Sequence, residues 1–151
     1  MTTTTTLAEL PSLKGQELGI SDWYEVTQDA VNLFAEATGD HQWIHVDVER
    51  AKKESPFGGP IAHGYLTLSL LVPLVSQTYT VTDAKMGVNY GLNKVRFPAP
   101  VPVGSKVRAR VTLKDVAEVA GGLQLTVSAV IEAEGATKPV CIAEPVFRTY
   151  A

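Results

Sequence analysis

A segment that is apolar on nearly every helical face covers residues 63–77, and it limits the folds open to this chain. A helix that is hydrophobic all round has to be enclosed by other structure. Pro73 lies inside the segment, and because proline removes a helical hydrogen bond we expect a kink there rather than an end. The sequence therefore predicts a buried central helix over about residues 63–77.

Four segments with alternating polarity and many β-branched residues follow this helix and are typical of strands. They cover residues 85–97, 106–119, 123–134 and 140–150. Their connections are short and rich in glycine and proline, and Gly121-Gly122 resembles a tight hairpin turn. Strands joined by such short turns pair antiparallel. A long, curved antiparallel sheet around one buried helix gives an α+β fold.

The chain before the central helix has a less regular pattern. A first strand or extended arm is expected over residues 17–26, followed by a short amphipathic helix with Thr27 as its N-cap and Gly39 as its end. A second helical piece is expected over residues 48–53. Residues 1–16 include a threonine-rich tract and are expected to form a flexible or loosely packed arm. This leaves residues 17–151 as a single domain.

Composition argues against several classes of function. The net charge is −3 and the 13 basic residues are spread thinly, which is unlike a nucleic-acid surface. No apolar run approaches the roughly 20 residues of a membrane-spanning helix, and no basic residue precedes Lys14 as in a secretory signal. The single cysteine, Cys141, lies in an apolar run and is expected to be buried and inert. We therefore expect a cytoplasmic protein without nucleic-acid or membrane partners.

All three histidines lie between the first helix and the start of the central helix. Asp40 directly follows the predicted helix end, and His45 comes five residues later. Histidine titrates near neutral pH, and an aspartate beside it can fix its tautomer or help to hold a water. His41 and His45 could instead begin a metal site, but that spacing requires a regular helix, which Gly39 with Trp43-Ile44 argues against. We expect proton transfer by Asp40 and His45, and no metal.

The pair His63-Gly64 stands at the predicted start of the central helix. The first amides of a helix have no intrahelical partners and lie at the positive end of the helix dipole. Such amides can stabilise an oxyanion, and a glycine permits close approach of a ligand. Gly64 is therefore either an oxyanion-binding residue or a packing glycine, and the local pattern leaves both open.

A third candidate region covers residues 89–97 and contains Asn89, Lys94 and Arg96. The two cations could bind the phosphates of a large thioester cofactor, or they could form the solvated face of an edge strand. The region has no phosphate-binding glycine loop, so a bound nucleotide would have to lie on the surface.

These motifs occur in one ordered pattern. Its first part comprises Phe34, Gly39-Asp40, His45, Asp47 and Ala51, then Phe57 and residues 59–64. Its second part comprises Arg96-Phe97 and residues 100–104. The pattern resembles the MaoC-like (R)-specific enoyl-CoA hydratases over about residues 20–150. Within that family, the chain is most similar to the single-domain mycobacterial-type hydratases.

The resemblance implies a hot-dog fold, in which a long sheet wraps the central helix, and a homodimer. It implies that Asp40 and His45 activate a water that adds to a trans-2-enoyl thioester to give the (R)-3-hydroxyacyl product. Gly64 would donate its amide to the thioester carbonyl, and Ser69 would support the acid. No cofactor is implied, because CoA enters as part of the acyl-CoA substrate. Further substrate-binding candidates are Gln42, His63, Asn89, Lys94 and Arg96.

The chain departs from the family pattern between the acid and the histidine. The family commonly has Asn-Pro there, where this chain has Gln42-Trp43. Gln42 still offers an amide with a longer reach, and Trp43 would reshape the pocket wall, so the substrate is more affected than the chemistry. Two alternatives are a hot-dog acyl-CoA thioesterase and a non-catalytic acyl-thioester-binding subunit of a heteromeric dehydratase. The acid placed before the central helix and the intact His-Gly pair favour the hydratase.

Overall fold

The computed structural model describes residues 2–151. The short strands β1 to β4 cover Thr3–Thr5, Glu17–Ile20, Tyr24–Glu25 and Tyr79–Val81. The long strands β5 to β8 cover Met86–Arg96, Lys106–Val119, Gly122–Ala133 and Cys141–Tyr150. Helices α1 to α5 cover Gln28–Thr38, Trp43–Val46, Val48–Glu54, Gly64–Ser69 and Leu71–Ser76, and a 3-10 helix covers Leu10–Leu13. In the part of the chain that the structure describes, no helix is both long and apolar enough to cross a membrane.

The main sheet is antiparallel, with strand order β2-β6-β7-β8-β5, and β3 also pairs with β6. The four predicted long strands are confirmed to within one residue at each end. The turn between β6 and β7 joins Val119 to Gly122, and Gly121 has the positive φ of 82° that suits the predicted hairpin. Strand β5 forms one edge of the sheet.

One face of the sheet packs against the central helices. Buried and partly exposed residues alternate along the whole of β7, so one face of this strand points inward. Leu71 and Leu74 of α5 belong to the same apolar cluster as Leu125 and Cys141 of the sheet. The Cys141 thiol is fully buried, and burial raises its pKa to about 11, which agrees with the predicted inert cysteine. The predicted α+β arrangement is confirmed.

The central helix is divided into α4 and α5 at Leu70, three residues before Pro73. The sequence predicted a kink at Pro73, whereas the helix is interrupted at Leu70. The cause is that Pro73 has no N–H to donate to the carbonyl of Ser69, four residues earlier. Only one side of the helix is buried, through Leu66, Thr67, Leu70, Leu71, Leu74 and Val75, which differs from the all-round burial expected from the sequence. The side chains of Tyr65 and Val72 are 71% and 51% exposed. Val72 lines a hollow together with residues of β5, so part of the uncovered helical surface faces that edge strand.

Residues 2–16 pack against the domain, which differs from the loosely packed arm expected from the sequence. Strand β1 pairs in parallel with β4, and Leu10 is fully buried. The Thr3 hydroxyl also donates a hydrogen bond of 2.6 Å to the carbonyl of Leu18. Threonine is β-branched and suits a strand, and burying a leucine contributes about 1.5–3 kcal/mol. Both effects favour packing of this segment against the domain. Met1 lies outside the described residues.

Candidate active site

Helix α1 ends at Thr38, and its C-cap Gly39 directly precedes Asp40. Its N-cap is Thr27, whose hydroxyl accepts a hydrogen bond from the N–H of Ala30 at 3.1 Å, and its C-cap is Gly39, with φ of 81°. Both caps were predicted from the sequence. The Oδ1 atom of Asp40 accepts a hydrogen bond of 3.3 Å from the main-chain N–H of Gln42, and Asp40 is exposed. The acid is therefore accessible from solvent.

A single helical turn, α2, places His45 inside the protein. His45 is 6% exposed, and its Nδ1 atom lies 2.7 Å from the carbonyl oxygen of Ile61. Because a carbonyl oxygen only accepts hydrogen bonds, Nδ1 carries the hydrogen and Nε2 keeps its lone pair. The Gln28 side-chain amide donates a 2.8 Å hydrogen bond to the main-chain carbonyl of His45. The ring is thus held in the tautomer of a base.

The surroundings of His45 favour its neutral form. Burial lowers the pKa of His45 below the ordinary 6.5, and the neighbouring His63 lowers it further. The hydrogen bond to Ile61 and the charge of Asp40 raise the pKa but are outweighed. A lowered pKa leaves the imidazole unprotonated at neutral pH, where Nε2 can accept a proton.

The ring of His63 stacks on that of His45. Their centroids are 3.9 Å apart and their planes make an angle of 24°. His63 is 2% exposed, and its Nε2 atom lies 3.0 Å from the main-chain carbonyl oxygen of Asp40. Phe34 of α1 contacts the same ring, with 4.9 Å between centroids. His63 was predicted to contact substrate, whereas the structure buries it against the dyad of Asp40 and His45.

Asp40, His45 and His63 form a group whose possible ligand atoms lie within 4.8 Å of one another. By composition such a group could hold a metal ion. Each ring donates one N–H to a main-chain carbonyl, so only His45 Nε2 and His63 Nδ1 keep a lone pair. The in-plane lone pairs of two stacked rings lie in separate, nearly parallel planes and do not converge on one ion. The geometry therefore suits proton transfer better than coordination.

Gly64 is the first residue of α4, as the sequence predicted for an amide donor. A Cβ atom added to Gly64 would meet the Phe97 ring at 3.4 Å, so close packing against Phe97 also favours glycine at this position. Beside it lies a pocket of about 300 Å³ lined by apolar residues, among them Phe57, Ile61 and Phe97. The helix start therefore adjoins an apolar space that shares Ile61 with the environment of His45.

The remaining candidates are distributed along α4 and β5. The Ser69 hydroxyl donates a hydrogen bond of 2.7 Å back to the Tyr65 carbonyl, so in this state it is used within its own helix. Ser69 and Asn89 line a hollow of about 300 Å³ between the central helices and β5. Lys94 and Arg96 lie on exposed β5, and within residues 2–151 neither forms a salt bridge. The Gln42 side chain is exposed beside the acid.

The sequence analysis missed the contribution of Ile61. Its carbonyl orients the imidazole of His45, and its N–H donates a 3.0 Å hydrogen bond to the carbonyl of Ile44 in α2. These bonds join the segment before α4 to the turn that carries His45. A main-chain carbonyl leaves no signal in the side-chain pattern, apart from its position two residues before His63.

Comparisons with known proteins agree with the predicted family. A family profile described as MaoC like domain matches residues 9–135. The 3-hydroxyacyl-thioester dehydratase Z of Mycobacterium tuberculosis H37Rv is 55% identical over 152 residues, covering 100% of both chains. Nodulation protein N of Rhizobium leguminosarum bv. viciae is 49% identical over 139 residues, covering 91% of this chain and 86% of that protein.

A solved structure gives the same answer at the level of fold. The (R)-hydratase from A. caviae involved in PHA biosynthesis superimposes with a TM-score of 0.72 at 26% identity, covering 89% of this chain and 94% of that one. The predicted hot-dog fold is thereby confirmed. The profile match spans most of the chain, and the 55% identical relative spans all of it. The chain therefore belongs to the MaoC-like family, as its motifs predicted.

Proposed function

We propose that this protein is a hydro-lyase that catalyses the reversible (R)-specific hydration of trans-2-enoyl-CoA to (R)-3-hydroxyacyl-CoA. The observation that carries the proposal is the neutral His45, held by Ile61 as an Nε2 base close to the Asp40 carboxylate. Acid and base lie near a helix start whose first amide belongs to Gly64. The relative at 55% identity, named a 3-hydroxyacyl-thioester dehydratase, supports the same reaction in the reverse direction.

In this proposal, the dyad holds one water between the Asp40 carboxylate and His45 Nε2. As the water oxygen bonds to the β-carbon, the double-bond electrons move toward the thioester carbonyl, and the base takes a proton from the water. The enolate oxygen accepts a hydrogen bond from the N–H of Gly64. Return of the proton to the α-carbon restores the thioester and the dyad. The balance is one water added, so we propose that no cofactor is needed.

The hollow between the central helices and β5 is the proposed site for the acyl chain. Its walls include Leu68, Val72, Leu92 and Phe147, whose side chains are apolar. Ser69 lies in the same wall, at the end of the helix that begins with Gly64. A chain attached to a carbonyl at the helix start could therefore extend along α4 into this hollow.

The same edge of the molecule is the proposed site for the rest of the substrate and for a second subunit. Lys94 and Arg96 are exposed cations suited to the phosphates of CoA. Four apolar residues of β5 are exposed, Met86, Val88, Tyr90 and Leu92, and a register shift between Asn89 and Gly91 interrupts their alternation. We propose that this strand pairs with its copy in a homodimer, because an edge strand with unpaired backbone groups and exposed apolar side chains favours such an association. We propose a cytoplasmic location for the enzyme.

The test follows the enoyl-thioester absorbance after mixing crotonyl-CoA, or a longer trans-2-enoyl-CoA, with the protein. Released thiol is measured alongside. We expect the wild type to consume the double bond without releasing thiol. Asp40→Asn and His45→Gln should each lower kcat by about 10²-fold or more, since the first removes the carboxylate that holds the water and the second removes the base.

His41→Gln is the matched control, because His41 is an exposed neighbour 3.7 Å from Glu36. It should keep wild-type activity. Release of thiol without loss of the double bond would replace the hydratase by a thioesterase. No change in either signal, with folded protein and both chain lengths, would favour a non-catalytic binding subunit.

A further inference from the structure

We propose that His63 is a positioning residue that holds both members of the dyad in register with the Gly64 amide, an inference that rests on the proposed function. The ring of His63 supports His45 from one face, and its Nε2–H holds the main chain at Asp40. His63 also directly precedes Gly64, the first residue of α4. One buried side chain thus connects the acid, the base and the proposed oxyanion donor.

The hydrogen-bond partners assign the hydrogen on each ring. His63 Nε2 faces the Asp40 carbonyl at 3.0 Å, and since a carbonyl only accepts, this nitrogen must be the donor. His45 Nδ1 faces the Ile61 carbonyl at 2.7 Å and is the donor of its own ring. The two stacked imidazoles are therefore opposite tautomers, His63 with Nε2–H and His45 with Nδ1–H.

The burial of His63 Nδ1 supports this assignment. The atom is buried and has no hydrogen-bond partner among residues 2–151. A hydrogen placed on Nδ1 would be a buried donor without an acceptor, and buried N–H groups without partners are rarer in proteins than under-satisfied acceptors. It would also leave a bare Nε2 facing the lone pairs of the Asp40 carbonyl.

The contacts of His63 explain why a small displacement should matter. Asp40 follows the C-cap of α1 and is exposed, so its main chain needs an anchor on the protein side. His63 supplies that anchor, and Phe34 of α1 supports the same ring. A catalytic group misplaced by about 1 Å can cost up to about 10²-fold in rate. We therefore expect His63 to act on kcat through Asp40 and His45 and not through substrate affinity.

Two substitutions separate the two contacts of His63. His63→Phe keeps an aromatic ring against His45 but removes the N–H that holds Asp40. His63→Gln keeps an N–H donor but removes the stacked ring. We expect each to lower kcat by about 10-fold or more with KM changed by less than about 3-fold, in the enoyl-CoA hydration assay. The matched controls are His41→Phe and His41→Gln, the same changes at an exposed histidine, which should leave both constants unaltered.

A double-mutant cycle distinguishes positioning from a merely structural effect. In the Asp40→Asn background the group being positioned is already lost, so His63→Phe should cost less than about 3-fold. An equal loss in both backgrounds would overturn the proposal. If His63→Phe does not fold, as judged by circular dichroism, His63→Gln takes its place and the cycle uses the His45→Gln background, because His63→Gln removes the ring that supports His45.

The tautomers are measured separately from activity, by two-bond ¹H–¹⁵N correlation spectra of the wild type at pH 8. Each imidazole is assigned with the corresponding His→Gln variant. We expect His63 as the Nε2–H form and His45 as the Nδ1–H form. A hydrogen on His63 Nδ1 would overturn the proposal even if the enzyme is active, and the expected tautomers would support the anchor even if hydration fails.

Discussion

At the scale of single residues, the properties of His45 come from main-chain groups and from burial. The Ile61 carbonyl fixes its tautomer, and burial lowers its pKa against the opposing effects of Ile61 and Asp40. The sequence identified Asp40, His45 and Gly64 as candidates, because the chemical properties of an acid, a base and a glycine can be read from the residue type alone. It could not identify the Ile61 carbonyl or the stack on His63, because these depend on how distant segments meet. The catalytic roles themselves stay predictions.

The pH dependence of activity should report the lowered pKa of His45. Only the neutral ring can accept a proton from water, so kcat/KM for hydration should be constant near neutral pH and fall on the acid side. The midpoint should lie below the ordinary value of 6.5. Initial rates with crotonyl-CoA between pH 5 and pH 8 measure it. A midpoint above 6.5 would contradict the role of burial.

The same group should make stability depend on pH. Because the folded pKa is lower than the unfolded one, the unfolded chain binds more protons in acid, and stability falls as pH drops below about 6.5. Urea unfolding at several pH values measures this for the wild type and His45→Gln. We expect a smaller loss in the variant, and identical losses would remove His45 as the cause.

At the scale of elements, the two ends of α1 were predicted correctly, whereas two short elements, α2 and β1, were missed. Thr27 and Gly39 cap α1 where the sequence placed them, since both signals act within a few residues. Helix α2 was missed because four residues carry no periodic pattern, and its place depends on the hydrogen bond between Ile61 and Ile44. Strand β1 was missed because its partner, β4, lies more than seventy residues away.

The end of α1 offers a clean test of backbone strain. Gly39 has φ of 81°, and an added Cβ would meet no atom within 4 Å, so Gly39→Ala isolates the conformational cost. We expect the free energy of unfolding to fall by about 1–2 kcal/mol, together with reduced hydration, because Asp40 comes next. Gly59→Ala is the matched control, with equally open space but no positive φ. Equal effects on stability in the two variants would exclude strain at Gly39 as the cause.

At the scale of the whole molecule, the sheet was predictable because its strands are long, alternate in polarity and are joined by short turns. The exposure of the apolar side chains of β5 was not predictable, because the pattern of one strand does not say whether these side chains meet solvent or a second chain. Tyr65 and Val72 of the central helix belong to the same question, since the monomer leaves both uncovered. In the proposed homodimer, the second subunit would cover part of this exposed apolar surface.

Association should depend on the exposed apolar side chains of β5. Leu92→Lys places a charge beside Tyr90 and Val72, which line the same hollow as Leu92, so it should shift the mass in solution from dimer to monomer. Size-exclusion chromatography with light scattering at micromolar concentration measures the mass. Leu33→Lys on α1 is the control, because Leu33 is 71% exposed on a different element. A monomeric wild type, or equal behaviour of the two variants, would rule out pairing through β5.

Because Cys141 is buried, the reactivity of its thiol reports whether the protein is folded. The chain has one cysteine, and in the folded state its thiol is shielded from solvent with a pKa of about 11. A colorimetric thiol reagent added to folded protein should therefore detect only CoA released from a thioester. Once the sheet opens, the same reagent should react with one equivalent of protein thiol. Labelling rate in the absence of substrate thus reports how often the core around β8 comes apart.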